Sequence, residues 1–267
     1  MRARLWRRLA GLTVAGLLAG LAPAAAANQA QLSYVGYLAG APVLSLEANI
    51  TVPEGAKPGD GAYFMSADIA TLGNLALLYP FTQRLQANGA LKGLTARPSQ
   101  YQSTMRVFSR QESVILAYAP DGTVGIQAVP LTRQAQMAQQ QGYANGTIDP
   151  ASLVVAVASL FARTGTCDGQ YQLFDGARRY DLTLSQGAHT DLTEMPASYY
   201  TGAATECAAA PQLVAGFQQS ALNANLYPQS AKLWMAPAIA GFPTVPVRIL
   251  AQSAFGNMTL ELVKVTR

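Results

Sequence analysis

Histidine, cysteine and charge are scarce in this sequence. Its 267 residues include one histidine, His189, two cysteines, Cys167 and Cys207, and only 12% charged residues. A serine nucleophile needs a histidine and an acid beside it, and no G-x-S-x-G motif is present. Two thiols and one distant imidazole do not make a zinc site. Phosphate-loop and dinucleotide motifs are also absent. We therefore expect a protein that is not an enzyme and that uses no metal and no cofactor.

The N-terminus has the pattern of an export signal. Four arginines precede an apolar run at 9–23, and small residues follow up to Ala27. This order is typical of a secretory signal peptide, here residues 1–27, with cleavage after Ala27 or after Ala26. The apolar run is shorter than the roughly 20 residues that span a bilayer. We expect a periplasmic mature chain without a membrane-spanning segment.

The excess of positive charge is confined to that signal. The full chain has 18 basic and 14 acidic residues, and the four arginines before the apolar run account for the whole excess. A nucleic-acid partner requires a basic surface, so we expect none. About 240 residues with balanced charge can bury a substantial core. We expect residues 28–267 to form a single β-rich domain.

Cys167 and Cys207 remain in the mature chain. An exported chain meets an oxidising compartment, so we expect these two residues to form one disulfide. Such a bridge closes a loop of about 40 residues and stabilises the fold by roughly 3 to 4 kcal/mol in the chain-entropy model. The alternative is a pair of unpaired, buried thiols.

Short segments of alternating polar and apolar residues dominate the mature chain, and one segment is clearly helical. Asp149 can cap this helix, Pro150 fits its first position, and Gly165 fits its end. Its centre is apolar on all sides, which is typical of a buried helix. We therefore expect a mainly β fold. Its single antiparallel curled sheet, or open barrel, has about ten to twelve strands, with one buried helix (about 149–163) on the concave face.

The densest group of polar and aromatic residues is TCDGQYQLFDGARRYDLTL, residues 166–184. We interpret it as a hairpin anchored by the disulfide, because Asp168-Gly169 and Asp175-Gly176 are typical turn dipeptides. The alternative is a catalytic role for Asp168, Asp175 and Asp181, since two carboxylates suffice for glycoside hydrolysis.

Basic and aromatic residues on the later strands are the candidate ligand contacts. Arg178 and Arg179 are adjacent, so on a strand their side chains point to opposite faces and at most one faces a pocket. A buried arginine there could bind a phosphate or carboxylate head group. Arg248 has the same two interpretations, as a pocket residue or as the partner of a surface acid. Trp234 is a further candidate, with a core position as its alternative.

Four stretches resemble an exported bacterial family called domain of unknown function 3108. They are Tyr34-x-Gly36 with Gly40, DPASLV at 149–154, YQLFDGARRYDL at 171–182, and KLWMAP followed by VPVRI. The resemblance spans nearly the whole mature chain and implies a periplasmic, β-rich protein with a curled sheet. It implies no activity.

Three functions are compatible with these features. The leading hypothesis is a non-enzymatic, envelope-associated protein whose concave sheet binds a lipid acyl chain, a lipoprotein segment or a peptide. The first alternative is a scaffold of an envelope complex that docks partner proteins through strand edges or through the glutamine-rich segment 131–146. The second alternative is a carboxylate-based cell-wall hydrolase.

Overall fold

A computed structural model describes residues 27–54, 59–193, 198–224, 227, 229–253 and 256–267. The predicted signal peptide lies outside these residues except for Ala27, where the first strand begins. The described residues form thirteen strands and four helices, in the order β1 Ala27–Leu38, β2 Ala41–Pro53, β3 Gly61–Thr71, α1 Gly73–Leu78, β4 Phe81–Lys92, β5 Thr95–Val107, β6 Arg110–Tyr118, β7 Val124–Val129, α2 Arg133–Gln141, α3 Pro150–Thr164, β8 Gly169–Phe174, β9 Arg179–Leu192, β10 Gly202–Ala215, α4 Gln219–Asn223, β11 Ser230–Ala236, β12 Val245–Ser253 and β13 Gly256–Thr266.

All thirteen strands belong to one antiparallel sheet with the order β7-β6-β5-β4-β3-β2-β1-β13-β12-β11-β10-β9-β8. The first strand therefore lies at the centre, paired with the last one, and the sheet consists of two meanders on either side of it. The predicted fold class is confirmed, with one strand more than the expected upper number. β10 has the weakest sequence pattern of these strands, because its first half is rich in alanine.

The two edge strands, β7 and β8, are joined by the segment between α2 and α3. On one side, the Val124 amide donates to the Asn145 Oδ1 at 2.9 Å, and the Gly146 amide donates to the Gly122 carbonyl at 2.8 Å. On the other side, the Ile148 amide donates to the Gln172 carbonyl at 2.9 Å. The curled sheet therefore does not close by strand pairing. A short connecting segment occupies the gap and satisfies edge groups that would otherwise be open to further pairing.

α3 lies on the inner face of the sheet. As predicted, Asp149 is its N-cap, with its carboxylate accepting from the Ser152 amide, and Gly165 ends it in a left-handed conformation at φ +78°. Ala151 and Val155 pack into the main core cluster, which contains buried side chains from every strand of the sheet. Val157 packs into a second cluster, on β9 to β11. The helix therefore contributes apolar side chains to both clusters, while Leu153, Val154, Leu160 and Phe161 are only partly buried.

The glutamine-rich segment packs on the sheet through one face and leaves Gln136, Gln140 and Gln141 exposed on the other. It forms α2, capped by the Thr132 side chain, and buries Ala135 and Ala138. The Gln139 side chain donates to the Ile126 carbonyl on β7 at 2.7 Å. The segment 131–146, which we named as an alternative docking surface, therefore contains a helix that covers part of an edge strand.

The predicted disulfide is present. Cys167 and Cys207 are bonded, with 6.2 Å between their Cα atoms, and both are fully buried. Cys167 precedes β8 and Cys207 lies within β10, so the bridge ties the edge hairpin to its neighbouring strand. The alternative of two free thiols is excluded.

One glycine is required by a close approach between strands. Gly89 lies on β4 beside an irregularity in the pairing with β5, and a Cβ there would overlap the backbone of Arg97 and Pro98. Glycine permits such contacts because it has no side chain.

Within the described part of the chain, no helix has the length and apolar character needed to cross a bilayer.

Candidate functional site

The inner face of β9 to β12 carries an apolar pocket of about 360 Å³. Every second residue of each strand points to the same face, which aligns the lining side chains in rows. The strands supply Tyr180, Leu182, Ala209, Pro211, Leu213, Ala231, Leu233 and Ile249. Ala209 also belongs to the second core cluster beside α3, so the pocket continues the interior of the curled sheet.

Two aromatic residues beyond the strands complete the wall. Phe217 follows β10 and Tyr227 precedes β11, and their rings meet edge to face with centroids 4.8 Å apart. Both line the pocket at the end where the β8–β9 turn also lies. The pocket is therefore bounded by strand residues in its depth and by loop residues at its rim.

Arg178 places a positive charge at this rim. Asp175 holds the β8–β9 turn, accepting from the Ala177 amide at 3.0 Å and the Arg178 amide at 2.8 Å. The same carboxylate accepts from the Arg178 guanidinium, with Nη2 and Oδ2 2.7 Å apart. The guanidinium carbon also lies 5.7 Å from the centroid of the Tyr227 ring.

The arginine is oriented but still accessible. Its side chain is 43% exposed. Asp175 engages its Nε and Nη2, while no hydrogen bond from Nη1 is found among the described residues. A guanidinium has five N–H donors in a planar fork that matches a carboxylate or a phosphate. The rim can therefore bind an anionic group while its own ion pair stays intact.

A neutral tyrosine lies between the rim and the apolar depth. Burial, and then the nearby Asp175 charge, raise the pKa of Tyr180 well above its usual range. Its hydroxyl therefore stays protonated and can donate a hydrogen bond. This end of the pocket is amphipathic, since apolar strand residues meet the Arg178 guanidinium there.

A buried polar cluster at the start of α3 was missed by the sequence reasoning, which treated Asp149 only as a cap. The Ser152 hydroxyl donates to the Asp149 Oδ2 at 2.6 Å, and the Tyr63 and Ser152 hydroxyl oxygens are 2.7 Å apart. Burial raises the pKa of Asp149, while its hydrogen bonds from Ser152 lower it. The D-P-A-S sequence signals the cap, but pairing with a tyrosine 89 residues away depends on the tertiary fold.

Arg179 points away from the pocket, as the alternation along a strand predicts. Its Nε lies 3.1 Å from the Asp181 Oδ1, and its Nη1 donates to the Tyr143 carbonyl at 3.0 Å. Tyr143 belongs to the connection between α2 and α3. Arg179 thus fastens the segment that joins the two sheet edges, and of this arginine pair only Arg178 lines the pocket.

Arg248 and Trp234 lie together, but elsewhere. They are direct partners in the pairing of β11 with β12. Arg248 forms an ion pair with Glu261 on β13, and Glu261 is almost fully buried. Ser198 donates a further hydrogen bond to this carboxylate at 3.3 Å. Neither Arg248 nor Trp234 lines the pocket, so the structure brings only one of the four predicted ligand residues to it.

The three candidate acids each have a local structural partner. Asp168 accepts from the Gln186 amide at 2.6 Å and the Thr166 hydroxyl at 2.7 Å, and these bonds lower its pKa. Asp175 and Asp181 are paired with the arginines described above.

The histidine is likewise in a cross-strand contact. Its Nδ1 lies 3.0 Å from the Thr205 hydroxyl, between β9 and β10. Across the described ranges, no group of three or more His, Cys, Asp or Glu side chains is arranged to hold a metal ion.

Comparison with family models gives no match, and comparison with curated proteins gives none either. The predicted likeness to domain of unknown function 3108 therefore stays a prediction. Among solved structures, the chain is similar to a β-barrel-like protein of domain of unknown function DUF1849 from Brucella abortus. The two share 10% identity with a TM-score of 0.47, over 89% of this chain and 96% of that chain.

Proposed function

We propose that this protein is a periplasmic, envelope-associated binding protein that holds an amphiphile in the pocket between β9 and β12. The apolar chain of the ligand lies against Leu182, Leu213 and Leu233, and its anionic group binds Arg178. The observation that carries the proposal is the combination of an apolar chamber of about 360 Å³ with one accessible guanidinium at its rim. This volume falls within the range of roughly 300–1,000 Å³ that small-molecule pockets occupy.

Two further features support binding of this kind. Ion pairing with Asp175 fixes the guanidinium before a ligand arrives, so little conformational entropy is lost on binding. The buried disulfide supports an oxidising compartment such as the periplasm. An acyl chain with a carboxylate or phosphate head group matches the chemistry of both parts of the site.

The proposal is tested with a dansyl-labelled fatty acid, whose fluorescence rises on transfer to an apolar environment. We expect saturable binding to the chain without its predicted signal peptide. Leu213→Trp fills the chamber and should abolish binding. Arg178→Gln removes a charge-assisted hydrogen bond and should weaken binding roughly tenfold or more. Arg84→Gln is the matched control, because Arg84 is exposed and pairs with Asp68 away from the pocket.

The methyl ester of the same probe separates the two parts of the site. It lacks the negative charge, so we expect Arg178→Gln to leave its affinity unchanged while Leu213→Trp still abolishes binding. Circular dichroism melting of each variant checks that the fold is retained. If both variants bind the acid as tightly as the unmodified protein, the probe binds elsewhere and the proposed site is wrong.

A further inference from the structure

We propose that one end of the curled sheet docks onto an anionic membrane surface through an apolar tip formed by Leu77, Leu78, Tyr79 and Phe108. This surface is separate from the amphiphile pocket, and the inference goes beyond the proposed function. It rests on exposed apolar side chains, on their fixed backbone and on the charge around them.

The first part of the tip is the α1 turn. No residue of this helix is buried, and Leu77 and Leu78 are 83% and 77% exposed. The turn is nevertheless held firmly. The Leu72 amide donates to the Val43 carbonyl at 2.8 Å, and the Thr71 hydroxyl donates to the Tyr79 carbonyl at 3.0 Å. The leucines are thus presented to solvent by an ordered backbone.

The second part is Phe108, in the turn between β5 and β6. It is 56% exposed and its ring meets that of Tyr79 edge to face, with centroids 5.6 Å apart. Its φ is +53°, a conformation that is sterically costly for a bulky residue. Glycine would fit this turn without strain, and a polar residue would suit an exposed position. An exposed phenylalanine there costs stability, which favours a role in binding.

The tip shares its end of the sheet with the rim of the pocket. Antiparallel pairing places the β1–β2, β3–β4 and β5–β6 connections at one end, together with the β8–β9 turn that carries Arg178. Val129 and Leu131, after β7, are exposed at the same end. A membrane contacted by the tip would therefore lie on the side from which an amphiphile reaches the pocket.

Two arginines lie beside the tip, and one acid, the exposed Glu112, lies two residues beyond Arg110. Arg106 and Arg110 flank Phe108, and both are exposed. No acidic residue occurs between Asp68 and Glu112 in the sequence, a stretch that contains the whole tip. Exposed apolar side chains with neighbouring arginines match the interface of a bilayer that contains anionic lipids.

A bilayer fits this surface better than a protein partner does. The tip consists of four side chains on two short turns, whereas a stable protein interface uses about 20–30 residues on each side. Inserting a few apolar side chains among head groups requires no complementary surface, and each nearby arginine adds electrostatic attraction. We therefore assign the tip to lipid and not to a second copy of the chain.

The test is co-sedimentation of the chain without its predicted signal peptide with vesicles of equal parts phosphatidylcholine and phosphatidylglycerol. We expect binding that falls with salt and with removal of phosphatidylglycerol. Leu77→Ser combined with Leu78→Ser should lower the partition coefficient about tenfold or more, by loss of buried apolar surface. Leu94→Ser is the matched control, since Leu94 is exposed in the β4–β5 turn at the opposite end.

Phe108→Gly separates membrane binding from folding. Glycine relieves the strained φ, so the variant should melt at the same or a higher temperature while it binds vesicles more weakly. Arg106→Gln combined with Arg110→Gln should weaken binding only to vesicles that contain phosphatidylglycerol, by roughly tenfold or more. Arg97→Gln, on an exposed residue near the opposite end, is the control for charge.

Two results would overturn the inference. One is vesicle binding that the tip variants leave undiminished. The other is a concentration-dependent dimer that the tip variants abolish, without vesicle binding, which would assign the tip to a protein contact. Leu213→Trp should bind vesicles normally, and the leucine tip variant should bind the dansyl probe normally, so failure of this inference and failure of the pocket are distinguishable.

Discussion

The disulfide between Cys167 and Cys207 should supply a large share of the stability of the fold. The bridge closes a loop with a sequence separation of 40 residues, which contains β8, β9 and part of β10. In the chain-entropy model, a loop of this length corresponds to about 4 kcal/mol at 25 °C. Replacing both cysteines by alanine also leaves a small void beside Val157 and Met235, which adds to the loss. Total stabilities of single domains are about 5–15 kcal/mol, so the variant should be close to unfolding.

Urea denaturation measures this loss directly. Trp6 falls in the predicted signal peptide, so Trp234 is the only tryptophan of the mature chain. It lies on β11 opposite Glu206, next to the bridged strand, and its fluorescence reports on this region. We expect the double alanine variant to lose about 4 kcal/mol of unfolding free energy, with a steeper dependence on urea because its unfolded state is less constrained.

The unmodified protein provides an internal control. After unfolding and reduction, it should refold in reductant with a stability close to that of the alanine variant. Because both sulfurs are fully buried, the native protein should resist reduction until it unfolds. A loss of less than 1 kcal/mol in the alanine variant would contradict this prediction, since it would mean that the bridge closes no costly loop.

Three further predictions concern buried or tightly packed positions. Burial raises the pKa of Asp149, so the folded state binds more protons than the unfolded state between the two pKa values, and stability falls as pH rises through that window. Relative to Asp149→Asn, which retains the cap, the unmodified protein should therefore lose stability as pH rises above about 4. A difference in urea stability that does not change with pH would contradict this. Gly89→Ala should cost about 1–3 kcal/mol through overlap with the facing strand, whereas Gly125→Ala, with nothing closer than 3.7 Å, should cost far less in the same titration. Glu261→Ala should lower the free energy of unfolding by about 3–5 kcal/mol, because it leaves Arg248 without its buried partner. Adding Arg248→Met should recover part of this loss. Equal stability of the single and double variants would argue against the ion pair.

The boundaries of α3 were predictable because local chemistry determines them. Asp149, Pro150 and Gly165 each suit one position of a helix end, and the apolar residues between them require burial whichever elements surround them. The disulfide was predictable for a related reason, since only two cysteines were present to pair. The presence of many strands was predictable in the same way, from the alternation of polar and apolar residues.

The order of the strands, and the way in which a connecting segment joins the two edges of the sheet, were not predictable. Pairing of β1 with β13, and the contact of the 145–148 segment with both edge strands, depend on residues far apart in the sequence. For the same reason, the sequence could not show which of the four candidate ligand residues lines a pocket. Alternation distinguishes Arg178 from Arg179, but only the fold pairs Arg248 with Glu261.

The pocket itself has almost no sequence signal. Its lining comes from four strands whose inward positions carry mainly leucine and alanine, which also occupy many positions of the core. What distinguishes it is the space left between them, together with Phe217 and Tyr227 at the rim. Such space depends on how α3 and the strands pack, which the residue pattern does not specify.

Amphiphile binding is decided by native mass spectrometry of the protein, gently purified from a periplasmic fraction without its predicted signal peptide, followed by solvent extraction of the bound material. We expect one bound amphiphile per chain, with an acyl chain and an acidic head group, and we expect Leu213→Trp to lose it. A bare chain that also fails to take up the dansyl-labelled fatty acid would contradict the account.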